Sequence, residues 1–136
     1  MSQNSLSTLM KAAQQQLDTL SKEATDAQAR VDEQNLRLAT LQAKVEVEKS
    51  QAMALNMQAL LPAFMARAKA QTQIIKRDIA AAEADIENIR VRLQKAYAEK
   101  SKYEQLIQQR EAQLAQKAAM AEQLEMDDIA NARRSG

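Results

Sequence analysis

Apolar residues recur along this chain at alternating intervals of three and four, the spacing of one stripe on a helix. The first stripe places Met10, Leu17, Ala24, Val31, Leu38, Val45 and Ala52 at heptad position a. Position d is held by Ala13, Leu20, Ala27, Gln34, Leu41, Glu48 and Leu55, so only Gln34 and Glu48 are polar. A second stripe has Ile79, Ile86, Leu93, Lys100, Ile107, Leu114 and Ala121 at a. Its d positions are Ile75, Ala82, Ile89, Ala96, Tyr103, Arg110, Lys117 and Leu124. That seam is clean from Ile75 to Ala96 and interrupted by bases afterwards. The pattern predicts two long coiled-coil helices, packed most tightly near the middle of the chain and more loosely toward the C-terminus.

Between the stripes lies MALNMQALLPAFMARA. Pro62, the single proline, disfavours helix at Leu61 and itself suits a first helical position. Asn56 is the residue best able to end the first helix in a left-handed conformation. An all-α fold follows: one long two-helix antiparallel coiled-coil hairpin with unequal arms, spanning 1–136. Arm one covers about 4–56, the corner about 57–61 and arm two about 62–133. The heptads alone equally allow a single helix kinked at Pro62 that dimerises in parallel. The coincidence of the proline with the change of heptad phase favours the hairpin. With a corner near residue 60, positions adding to about 122 face each other. Glu48 then lies near Ile74 and Ile75 with Lys76 and Arg77 close by, Lys100 beside Lys22 and Glu23, and Arg110 over Ala12 and Ala13. The longer second arm projects past the N-terminus.

Composition narrows the function. Among 136 residues there is one Gly, one Pro, no Cys and no His. A phosphate-cradling loop needs several glycines, and without His or Cys the usual zinc ligands, the commonest general base and the thiol nucleophile are missing. Carboxylates without a predicted cleft read as solvated helix faces, so neither an enzyme nor a cofactor site is expected. Net charge is +1 with both signs interleaved, which gives no nucleic-acid footprint. No stretch approaches the roughly 18 apolar residues of a membrane span, and the first residues lack the pattern of a secretory signal. The expectation is a cytoplasmic protein that binds partners and does not insert into a membrane.

Both tyrosines fall in LQKAYAEKSKYEQL, residues 93–106. Six helical positions set them about 120° apart, so they cannot share one narrow stripe. Tyr103 lands on the seam as a large knob. Tyr97 lands beside it at e, where its ring either leans over Ala96 and Leu93 or meets a partner.

The segment KAYAEKSKYEQ, the closing LEMDDIANARR and the upstream PAFMARA together resemble the C-terminal arm of FliJ-type proteins, the FliJ/YscO family. The resemblance spans most of residues 62–134. It implies an antiparallel coiled coil similar to the gamma shaft of rotary ATPases, serving as the central stalk of a flagellar or virulence-type (type III) export apparatus. The family's ends sit in the pore of an export ATPase hexamer, its hairpin tip reaches the export-gate membrane protein, and it can bind export chaperones. Such a stalk is cytoplasmic and peripheral to the membrane-embedded apparatus.

Two candidate surfaces match that role. At the tip, Met57, Leu60, Leu61, Phe64 and Met65, with Met53 and Leu55, carry more apolar bulk than a solvated loop needs. The same residues could instead form a small cluster that closes the hairpin. At the free end, Asp127, Asp128, Arg133 and Arg134 form either a charged docking end or a frayed tail, and Tyr97 is a flank candidate. A generic coiled-coil scaffold or adaptor, or an export chaperone without an ATPase partner, are the competing readings.

Overall fold

The structure, a computed structural model, describes residues 3–135. It is an all-α helical hairpin. Helix α1 covers Gln3–Ala54 (52 residues), a 3-10 turn covers Gln58–Leu60, and helix α2 covers Leu61–Ser135 (75 residues). No strand occurs among the described residues. Two compact units divide the chain: Asp18–Gln94, which contains the corner, and Met1–Leu17 with Lys95–Gly136.

In the corner unit, the half-buried and buried positions of both helices follow the two heptad stripes. Val31, Ala27 and Leu20 are buried on α1, and Ala68, Ile75, Ala82 and Ile89 on α2. Two ion pairs cross between the helices of this one chain, Arg30 to Asp85 at 3.0 Å and Glu23 to Arg92 at 3.7 Å. All four residues occupy position g, the flank-to-flank pairing of an antiparallel coiled coil. The hairpin therefore stands against the parallel dimer. These pairs are half-exposed and stabilise little, but they mark the register.

In each pair the residue numbers add to 115, not to the expected 122. This shift of seven comes from a corner that turns earlier than residue 60. In the seam layers beside these pairs, whose residue numbers add to 113, small residues stand across from larger ones: Val31 at the level of Ala82 and Ala24 at that of Ile89. Alternating size lets the backbones approach closely without voids. Three further expectations are corrected by the same shift. Glu48 shares a depression with Arg67 rather than meeting Lys76 and Arg77. Glu23 meets Arg92, while Lys100 has its own helix neighbour Glu104 at 3.8 Å. Arg110 shares a groove with Leu6 rather than covering Ala12 and Ala13.

The register can be tested by spin-label distances in chain diluted with unlabelled protein. Labels at Glu33 and Ala81 should lie nearer each other than labels at Glu33 and Asn88, which is displaced by about 10 Å along the axis. A shorter 33–88 distance would restore the 122 register. Coupling that vanishes on dilution would make the contact intermolecular.

The corner closes without glycine. Asn56 has φ 53°, the left-handed conformation that ends helices. The Met57 amide donates to the Ala52 carbonyl at 2.7 Å, and the Asn56 amide to Met53 at 3.4 Å. This is the paired bonding of a Schellman cap, which satisfies carbonyls that the helix end would otherwise orphan. The Leu60 amide then donates to Met57 at 3.1 Å. Leu61 departs from the sequence expectation: it is helical, with φ −63° and ψ −43°, despite preceding Pro62. The clash before proline disfavours this conformation without forbidding it. Leu61 continues the 3-10 turn and is half-buried, and both favour keeping it helical.

In the second unit, Leu6, Ala13 and Leu17 of α1 are buried, as is Ala96 of α2. Tyr103, Ile107 and Arg110 are half-buried, as the loosening expected after Lys100 requires. Beyond Arg110 every described residue of α2 is exposed. Leu114, Ala121 and Leu124 keep the heptad spacing, but no described residue of α1 covers them. On the exposed face of α2, Arg90 hydrogen-bonds Glu87 at 2.6 Å and holds its carboxyl below the usual range. That contribution is present at neutral pH and is lost as pH falls through the lowered pKa.

Candidate interaction surfaces

The tip is an open depression of about 460 Å³ floored by Leu55, Met57, Leu60 and Phe64, with Glu48 and Arg67 among its lining. Met57, which follows the Schellman cap, is 47% exposed, and Leu60 closes the 3-10 turn. Leu60 is 62% exposed and Leu55 69% exposed. Leu61 and Phe64 are half-buried and line the same depression. Met65 does not join them; it falls on the α2 seam, half-buried and facing α1. The charged rim of Glu48 and Arg67 escaped sequence reasoning because it depends on the register. With the register of 115, the seam position of Glu48 would have signalled it.

In the other unit, Asp127, Asp128, Arg133 and Arg134 are all exposed on the α2 extension. Arg133 and Arg134 occupy the last turn, where the helix dipole favours cations. Asp127 and Asp128 sit about two turns earlier, beyond most of the dipole's reach, and Asp127 accepts a hydrogen bond from Gln123 at 3.2 Å. The two acids and the two arginines therefore do not form one charge cluster. The extension from 111 to 135 is about 37 Å of single helix. It also presents Leu114, Met120, Leu124, Met126 and Ile129, each at least half exposed.

Tyr97 is 58% exposed beside buried Ala96, whereas Tyr103 is half-buried on the seam. The 120° offset of the two rings thus separates a packing tyrosine from a surface one. One further feature had no counterpart in the sequence reading. A groove between the helices of the second unit has Met10 and Ile107 in its lining, with Lys11, Lys100 and Glu104. It opens where Lys100 replaces an apolar seam residue.

Among the described residues no group of His, Cys, Asp and Glu could hold a metal ion, and no helix is long and apolar enough to cross a membrane. The surfaces suit protein contacts made by apolar side chains bordered by charge. No curated protein and no solved structure matches the chain significantly. The family model described as Flagellar FliJ protein matches residues 1–135, essentially the whole of the helical hairpin, and the chain belongs to that family.

Proposed function

We propose that this chain is a non-enzymatic central stalk of a flagellar-type export ATPase complex, coupling the ATPase hexamer to the membrane export gate. Family membership supports a role in the flagellar export apparatus. The observation that carries the finer reading is the presence of two exposed surfaces of different chemistry. One is the compact apolar depression at the corner, and the other is the long uncovered α2 extension. In this reading the extension, with residues 1–20, enters the ATPase ring, and Asp127, Asp128, Arg133 and Arg134 supply its polar contacts. Leu60, Leu61 and Phe64, together with Met57, meet the gate. Tyr97 is a candidate contact for export chaperones along the flank. The protein works at the cytoplasmic face of the apparatus, peripheral to the membrane.

Phe64→Ala tests the tip. Apolar anchors in a desolvated pocket carry much of a contact's free energy, so the loss should exceed about 1 kcal/mol of gate binding. Phosphate release by the ATPase should respond to the variant as to the native chain. Unchanged gate binding, with helicity retained, would remove the tip from the interface.

A further inference from the structure

The seam of the second unit does not end where its cover does. Its layers pair residues whose numbers add to 113, so Gln3, the first described residue of α1, stands at the level of Arg110. Past that level the heptad runs on along the same stripe of α2 through Leu114, Lys117, Ala121, Leu124 and Asp128, all of them exposed. Leu114 is 51% exposed and Leu124 63% exposed. An open depression of about 530 Å³, with Leu6, Arg110, Leu114 and Lys117 in its lining, lies where the cover stops. The stripe therefore continues an interface already built, and it carries one base and one acid. Among the described residues neither Lys117 nor Asp128 is in an ion pair.

We propose that a second copy of this chain covers the stripe, with its own extension running antiparallel about a two-fold axis. The heptad phase admits few registers. An a position must meet a d position of the other copy, which confines the sum of facing residue numbers to 238, 245, 252 and further steps of seven. At 238 the end of one extension, Ser135, would lie at the level of Tyr103 of the other copy, where Met10 already occupies the seam. At 252 Leu124 would face Asp128. At 245 Ser135 of one copy meets the level of Arg110 of the other, where the described part of α1 begins, so the two abut without collision.

The same register satisfies the side chains. Lys117 of each copy faces Asp128 of the other, and Ala121 faces Leu124, the small-against-large pairing of the hairpin's own seam. On the flanks Gln113 meets Arg134, Met120 meets Asp127 and Ala118 meets Glu125, so no like charges are brought together. The contact is isologous and closes on itself. In the stalk reading the ATPase ring and the second copy compete for this stripe, but the dimer does not rest on that reading.

Equilibrium sedimentation of the full-length chain alone, with no partner protein present, tests the proposal separately from the stalk reading. The native chain should form dimers that weaken as salt rises. Lys117→Glu sets acid against acid in two symmetric layers, and Asp128→Lys sets base against base. Each should weaken the dimer at least about tenfold. The chain carrying both substitutions regains opposite charges in both layers and should dimerise about as tightly as the native chain. A parallel pairing sets each position against itself and gives no such rescue. Both positions are exposed, so far-UV circular dichroism should show all the variants as helical as the native chain. A native chain that stays monomeric up to about millimolar concentration overturns the proposal. A dimer indifferent to either single reversal, or a double variant as weak as the single ones, overturns it equally.

Discussion

A chain ending at Met120 should lose its stimulation of the export ATPase, with binding to the ring weakened more than about 100-fold. Residues 121–135 are exposed throughout, so their removal takes nothing from the packed seam. The unfolding midpoint should hold, and the helical signal should fall only in proportion to the residues removed. Gate binding should persist, because the depression at Leu60 and Phe64 lies in the other compact unit. Pull-downs with each purified partner, and phosphate release by the ATPase, separate these effects. Equal impairment of both partners, with the seam intact, would replace the two-ended stalk by a one-surface adaptor.

Ile89→Asp should be the most damaging single substitution in the seam. Ile89 is 7% exposed and lies at the level of Ala24; the bases that share its depression, Arg30 and Arg92, are already paired with Asp85 and Glu23. A short carboxylate there leaves water and competes with Asp85 and Glu23 for the arginines, unlike Lys100 and Arg110, whose long stems carry their charges outward. A cost of about 4 kcal/mol is expected, lowering the midpoint by roughly 14 °C. Ile74→Asp, at a position 51% exposed, should change the midpoint by little. Similar losses at both positions in thermal melts would show that the helix faces are assigned wrongly.

The helix faces were legible in the sequence because a coiled-coil seam repeats every 3.5 residues, and thirteen heptad positions on α1 leave little freedom of phase. Even Gln34 and Glu48 occupy the half-buried places their spacing assigns them. The register was less legible. It depends on where one corner turns, and that rests on an asparagine in place of glycine and on a leucine that stays helical before proline. An error of three or four residues at the corner displaces every facing pair by seven. The extent of the α2 extension was hidden for the same reason. Leu114, Ala121 and Leu124 have the spacing of core residues, and only the length of α1 opposite them decides that they are not. The groove at Met10 and Ile107 was illegible because its walls lie about 90 residues apart in sequence and meet only in the correct register.

The register also dictates an order of assembly. Facing residues next to the corner, such as Glu48 and Arg67, are close in sequence. Leu6 and Arg110 are separated by most of the chain. Closing that longer loop directly would cost about 1.5 kcal/mol more in chain entropy, and topology of this kind slows a search. If the two helices zip from the Schellman cap outward, each new layer is held near its mate by the one before, and the extra cost is met in small steps. The corner is then a folding nucleus as well as the proposed docking surface. A substitution at Asn56 should slow refolding through the nucleus, whereas changes near Leu6 should chiefly hasten unfolding.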